Sequence, residues 1–251
     1  MSIIQTFYDS LASHYDKLFS DWQATAKEQA TLLRGILAAF HFDLSASILD
    51  CACGIGTQAI GLASLGYSVC ASDISEGALA EAKARATAAG VDIRFAHADF
   101  CALSEVFSEH FDVVIAMDNA LPHMLTHEDL ARAVGSITAQ LKEGGIFVGS
   151  IRDYDALLQD KPPYSPPYIH ETERGRRVCF QTWLWEGDRY KLTQYIIEDG
   201  IALTTHKFEC EYRATRKAEL TALFEACGAR EIIWMLPEET GFYQPILIVR
   251  K

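Results

Sequence analysis

The stretch that most constrains this chain is Asp50-Cys51-Ala52-Cys53-Gly54-Ile55-Gly56-Thr57. The apolar run Ser47-Ile48-Leu49 precedes it, and Ala59, Ile60, Leu62, Ala63 and Leu65 follow at helical spacing. A buried strand, a glycine turn and a helix start, in that order, form the opening unit of a doubly wound α/β sheet. Gly54 and Gly56 lack Cβ atoms, so the backbone can bend sharply and let a ligand lie against its N–H groups. Gly54-x-Gly56-x-x-Ala59 fits a dinucleotide fingerprint, with Asp73 about 20 residues on to take a ribose. Asp50 points the other way. A pyrophosphate prefers a strand end free of negative charge, whereas an acid just ahead of the turn suits a cationic ligand.

The Asp-x-x-x-Gly-x-Gly order resembles motif I of the class I methyltransferases, and that resemblance implies S-adenosylmethionine, with its positive amino and sulfonium groups. On this stretch alone NAD remains an alternative. Two more strands bear on the choice. Ser68-Val69-Cys70-Ala71-Ser72-Asp73 ends in a carboxylate that can accept both ribose hydroxyls of an adenosine. Ile93-Arg94-Phe95-Ala96-His97-Ala98-Asp99 also ends in an acid, followed by Phe100. In the family such an acid accepts from the adenine amino group while the aromatic neighbour lies along the ring. Three successive strands ending in Asp50, Asp73 and Asp99 are far more specific than any one of them.

Bulk properties narrow the partners. With 251 residues, 49% of them hydrophobic, the chain can build one large α/β domain with insertions. A net charge of −12 disfavours broad contact with nucleic-acid phosphates. The one basic run, Arg174-Gly175-Arg176-Arg177, sits beside Glu171 and Glu173 and reads as a solvated strand entry. Seven scattered cysteines read as buried hydrophobes of a reducing compartment, and Cys51-Ala52-Cys53 is too tight for a zinc knuckle, so no metal is expected. Asp9 and Asp16 interrupt the N-terminal apolar pattern, so neither a signal peptide nor a membrane span is expected there. The chain is expected to be soluble and cytoplasmic.

Helical spacing predicts one helix or two short ones from Ser2 to Phe19 and another after Trp22, through Ala26, Ala30, Leu33 and Leu37. Preceding the first strand, they are free to act as a lid over the strand ends. The wording Tyr8-Asp9-x-Leu11-Ala12-x-x-Tyr15-Asp16 is similar to the lid of many small-molecule methyltransferases, in which the second tyrosine closes on the methionine end of the cofactor. Strand four, Phe111 to Asp118, opens into Asn119-Ala120-Leu121-Pro122-His123-Met124. Asn119 could orient a nucleophile, and His123 or Tyr8 could relay a proton. Thr126 caps a helix that Gly144-Gly145 is expected to end, leading into strand five, Ile146 to Ile151.

Arg152-Asp153-Tyr154-Asp155 leaves strand five at the same sheet edge. A planar guanidinium matches both oxygens of a substrate carboxylate, or it could simply pair with Asp153 or Asp155. With Asn119 and His123, this stretch resembles the glycine/sarcosine N-methyltransferase family, whose strand-five Arg-x-Tyr-Asp motif binds an amino-acid carboxylate. The likeness runs from Tyr8 to the last strand. It implies substrate-binding roles for Arg152, Tyr154 and Asn119. It implies cofactor-binding roles for Tyr15, Trp22, Asp50, Ala52, Gly54, Gly56, Thr57, Asp73, Ile74, Asp99, Phe100 and Met117. No arginine stands at Gln23-Ala24-Thr25-Ala26-Lys27, where the family often has one, so cofactor-carboxylate contacts are expected from backbone, Tyr15, Trp22 or Lys27.

Lys161-Pro162-Pro163-Tyr164-Ser165-Pro166-Pro167-Tyr168 cannot hold a helix or a central strand and reads as a flap. Three antiparallel strands are predicted beyond it, Arg177 to Trp185, Tyr190 to Ile197 and His206 to Tyr212, with Trp183, Trp185 and Tyr190 on an inner face. Strands Glu231–Leu236 and Gln244–Val249 lie too close in sequence for a parallel crossover and must pair antiparallel. That reversed ending favours a methyltransferase over a nicotinamide enzyme.

The expectation is an α/β, doubly wound, Rossmann-like fold with a mostly parallel seven-stranded sheet and a reversed last strand. Residues 1–152 and 214–251 form the S-adenosylmethionine-binding core, with a helical lid at 1–45. Residues 153–213 form an inserted three-stranded cover. The implied function is methyl transfer from S-adenosylmethionine, leaving S-adenosylhomocysteine, to a nitrogen or oxygen of a small, carboxylate-bearing molecule, the amine of an amino acid first among them. The alternatives are an NAD(P)-dependent oxidoreductase and a non-catalytic S-adenosylmethionine-binding protein. No nucleic-acid or membrane partner is expected, and oligomeric state is not readable.

Overall fold

A computed structural model describes residues 3–173 and 175–251, so Ser2 and Arg174 lie outside the described residues. Helix α1 (Ile3–Leu11) runs into a 3₁₀ segment (Ala12–Leu18), and Asp21 caps α2 (Trp22–Ala39) by accepting from Ala24 N. The alternation then begins with β1 (Ser47–Asp50), α3 (Thr57–Ser64), β2 (Ser68–Asp73), α4 (Glu76–Ala89), β3 (Arg94–His97) and β4 (Phe111–Ala116). Next come α5 (His127–Ala139), β5 (Leu141–Ser150) and α6 (Tyr154–Asp160). The insert contributes β6 (Tyr168–Thr172), β7 (Gly175–Glu186), β8 (Arg189–Asp199) and β9 (Leu203–Arg213). The chain closes with α7 (Lys217–Ala226), β10 (Glu231–Met235), the short α8 (Pro237–Thr240) and β11 (Ile246–Arg250).

The seven-stranded sheet has the order β10-β11-β5-β4-β1-β2-β3. All neighbours are parallel except at β11, which is antiparallel to both β5 and β10. Strand order reverses between β1 and β4, and this switch point opens a crevice at the carboxyl ends. Successive residues feed opposite faces: Leu49, Val114 and Phe147 pack toward α5 and α7, while Ile48, Val113 and Val148 join the cluster holding α2 and α3. Two covered faces explain why these strands read as continuous apolar runs. Among the described residues no helix is long and apolar enough to cross a membrane.

Two expectations change. The insert is a four-stranded sheet, β6-β7-β8-β9, not three-stranded. From Tyr168 to Thr172 there is no proline, and these residues pair with β7 from Cys179 down to Gly175 as an edge strand, which needs partners on one side only. The proline flap is strapped to the same strand: Trp185 Nε1 donates to Pro162 O and Trp183 N to Pro163 O. Gly144-Gly145 do not end α5, which stops at Ala139. They form a bulge inside β5, whose pairing jumps from Phe111–Leu141 to Val113–Ile146. A Cβ on Gly145 would stand 2.9 Å from the carbonyl oxygens of Asp112 and Lys142, so only glycine fits.

The N-terminal helix expected to serve as a lid is docked, not loose. Asp9 Oδ1 accepts from Ser75 Oγ (2.6 Å) and Gly77 N (2.9 Å), tying α1 to the N-terminus of α4. Gly77 permits this approach, since a Cβ there would lie 3.0 Å from Asp9 Cα.

Candidate active site

Where β1 ends, the chain turns with Gly54 at φ 52° and Gly56 at φ 92°, both in the left-handed region that favours glycine. At Gly56 a side chain would also collide with Ile60, 2.7 Å from the Cβ position, whereas at Gly54 nothing of the protein lies within 4 Å. Gly54 therefore opens its backbone onto a cavity of about 320 Å³ bounded by Ala52, Asp73, Ile74, Phe100 and Met117. Thr57 and Asp99 complete one wall and Tyr8, Tyr15 and His123 another.

The three acids hold different stations. Asp73 lines the cavity; its Oδ2 accepts from Gly54 N at 2.8 Å and its Oδ1 from Ser75 N at 2.9 Å. Asp99 stands on the exposed rim, oriented by Cys101 N at 2.8 Å. Asp50 lies beneath the turn, buried. Its Oδ1 accepts weakly from Ala52 N at 3.3 Å, and its Oδ2 has no hydrogen-bond partner. Burial pushes the Asp50 carboxyl up to about 8, with the charges of Asp73 and Asp118 adding to the effect. Burial likewise raises Asp73 and Asp118. Carboxylates so crowded and desolvated favour a cation above them.

A second cavity of about 780 Å³ lies between this edge and the insert. Tyr8, Tyr15 and Asp118 line both cavities and so form the junction. Arg152 reaches into the second one. Its guanidinium donates to Tyr190 Oη (2.7 Å) and Gln181 Oε1 (2.9 Å) and lies 5.0 Å from the centre of the Trp183 ring. Neither adjacent acid neutralises it, because Lys217 pairs with both Asp153 and Asp155. Among the described residues Arg152 has no carboxylate partner.

Several candidates stand behind the walls. Asn119, buried at φ 70°, accepts from Arg152 N (3.0 Å) and donates to Tyr154 Oη (2.9 Å), lining neither cavity. Tyr154 is fully buried, its hydroxyl bridging Asn119 and Tyr190 (2.9 Å). Both shape the seat of Arg152. Trp22 also stays outside, holding Thr57 Oγ1 through its indole N–H (2.9 Å), and Gly56 caps α3. Lys27 faces a separate groove with Met235 and Thr240, away from both cavities.

Tyr8 Oη and His123 Nε2 lie 2.8 Å apart, with the imidazole 4.1 Å from the Tyr212 ring centre and tilted 31° to it. Burial pushes His123 down to about 3 and Tyr8 well above its ordinary value. At neutral pH both are uncharged and share a single hydrogen bond. Such an imidazole is a poor proton acceptor, and what it does here is fix Tyr8. Sequence reading missed Asp118, which accepts from Gln58 Nε2 and Tyr243 Oη, both at 2.8 Å. It follows β4 as Asp73 ends β2, so the rule of acids at strand tips could have found it.

Residues 48–145 match a family model described as a methyltransferase domain. A glycine/sarcosine N-methyltransferase of Parasynechococcus marenigrum is 30% identical over 62% of this chain and 54% of its own length. A protein of the same description from Aphanothece halophytica is 27% identical over 64% of this chain and 55% of its own. The chain thus spans about half the length of the curated relatives it matches. Among solved structures, the CcbJ methyltransferase of Streptomyces caelestis covers 100% of this chain and 99% of its own with a TM-score of 0.78 at 18% identity. The amino pentose methyltransferase CalS10 of Micromonospora echinaspora covers 95% and 94% with a TM-score of 0.72 at 17% identity. At these identities the structures speak for the fold.

Proposed function

We propose that the protein transfers methyl groups from S-adenosylmethionine to the nitrogen of a small, carboxylate-bearing acceptor, a reading supported by the match of residues 48–145 to a methyltransferase-domain model and by the methyltransferase fold of the whole chain. The residues present fit the cofactor. Asp50 Oδ2 is an orphaned buried acceptor beneath the turn, Gly54 leaves the wall open, and Asp73 stands where ribose hydroxyls need an acceptor. Asp99 and Phe100 bound the adenine end, and Tyr15 closes the methionine end. When bound, S-adenosylmethionine supplies a sulfonium methyl that needs little chemical activation.

The chain's own task is then alignment, which can supply on the order of 7–11 kcal/mol of a barrier. Arg152 anchors the acceptor's carboxylate with its remaining donors, held in place by Tyr190, Gln181 and the backbone contact to Asn119. Tyr8 and Tyr15 wall the junction at which the two cavities meet. The observation that carries this reading is Arg152: a cation in the cavity beside the cofactor pocket, left without a carboxylate by Lys217. An unpaired charge in such a place costs stability unless a ligand uses it.

The two curated relatives are described as glycine/sarcosine N-methyltransferases, which supports an amine acceptor, and CalS10 is described as an amino pentose methyltransferase. The test is a panel of glycine, sarcosine, larger amino acids and amino sugars, read by S-adenosylhomocysteine release. Turnover of a carboxylate-bearing amine is expected. Turnover confined to amino sugars would overturn the carboxylate assignment, and no turnover on any amine would favour a non-catalytic cofactor-binding protein.

A further inference from the structure

We propose that Asp118 is the ammonium-binding group of the acceptor cavity, so that Asp118 and Arg152 together read a zwitterion. The inference rests on the amine-acceptor reading above and assigns the residue that holds the amine. Both side chains line the same cavity, and among the described residues neither has an ion-pair partner. Two opposite charges that share a cavity without neutralising each other suit a ligand that carries both.

Asp118 is built in rather than incidental. Tyr243 Oη donates to its Oδ1 and Gln58 Nε2 to its Oδ2, and Gln58 is itself tied to Gln29 Oε1 at 2.7 Å. The Asp118 N–H donates to Ser150 Oγ (2.8 Å), which donates to Gln244 Oε1 (2.9 Å). These contacts hold a non-glycine residue at φ 56°, a left-handed conformation that aspartate and asparagine tolerate better than most. All its side-chain partners are neutral, and each oxygen keeps a further lone pair. Its position at the junction puts an amine bound there at the mouth of the cofactor pocket. An ammonium has no free pair. Transfer of one N–H proton to the carboxylate leaves a neutral amine and a carboxylic acid, a direction that burial of Asp118 favours.

The ammonium could come from the acceptor or from the methionine end of the cofactor, and the proposal commits to the acceptor. Asp118→Asn keeps the shape, the left-handed conformation and an acceptor for Gln58. Wild type, Asp118→Asn and Arg152→Lys are titrated with S-adenosylhomocysteine by calorimetry. Each complex is then titrated with glycine, methylammonium and acetate by NMR. Expected for Asp118→Asn is about a tenfold or greater loss for glycine and methylammonium. Acetate and S-adenosylhomocysteine should change less than about twofold, the latter also certifying the fold. The proposal is overturned if amine binding is unchanged, if S-adenosylhomocysteine weakens by the same factor, or if wild type binds neither amine. Failure of the carboxylate reading looks different: Arg152→Lys would leave glycine and acetate untouched while the methylammonium result for Asp118 stands.

Discussion

Replacing Asp50 with asparagine should stabilise the free protein while weakening its hold on the cofactor. The Asp50 carboxyl is 1% exposed, one of its oxygens has no partner, and burial lifts it from an ordinary 3.8 to about 8. A carboxyl raised on folding binds more protons in the native state, so its stabilising contribution is complete below pH 3.8 and is lost as pH rises toward 8. At about 1.4 kcal/mol per pH unit, the loss reaches about 5 kcal/mol at pH 7.5 and about 2 kcal/mol at pH 5. Asparagine has no such titration. The stability gap between Asp50→Asn and wild type, read by urea denaturation, should therefore widen in the variant's favour by about 3 kcal/mol between pH 5 and pH 7.5. Above pH 8, where the Asp50 carboxyl is charged, S-adenosylhomocysteine should bind about tenfold more weakly to the variant, on the order of one lost charged hydrogen bond. A gap that stays constant with pH would refute the reasoning, as would a variant that binds the nucleoside unchanged.

Other perturbations probe other parts of the site. Arg152→Met should raise the acceptor KM by about 30-fold or more, the scale of losing a buried charge partner, with S-adenosylhomocysteine affinity unchanged by calorimetry. Equal losses in both would count against the carboxylate role. Tyr8→Phe leaves the buried His123 Nε2 without its 2.8 Å partner and should cost about 1–3 kcal/mol in thermal unfolding. A neutral result would mean that water replaces the phenol. Gly77→Ala places a Cβ 3.0 Å from Asp9 Cα, so α1 should lift from α4 and the amides of residues 3–18 exchange faster in deuterium oxide. Unchanged exchange would show that the lid is held elsewhere.

The sheet was legible because its signals are local. A glycine turn after an apolar strand, acids at Asp50, Asp73 and Asp99, and a short span between the last two strands sufficed for fold and topology. What depends on contacts distant in sequence was not. Nothing near Arg152 says that Lys217, more than 60 residues on, takes the two neighbouring acids. The same holds for Asn119 and Tyr154, polar residues at a strand exit that turn inward to seat Arg152 and line neither cavity. Edge strand β6 was hidden because the prolines before it mask the alternation, and pairing with β7 supplies what the segment lacks alone. His123 carries the right chemistry in sequence, and only burial shows that it stays neutral.

The central claim is that acids at three adjacent strand tips form the seat of an adenosyl nucleoside. A crystal structure with S-adenosylhomocysteine tests it most directly. It should show the ribose hydroxyls on Asp73, the adenine between Asp99 and Phe100, and the sulfur facing the junction of Tyr8, Tyr15 and Asp118. Density for the nucleoside in any other cavity, or tighter binding of NADH at this one, would contradict it.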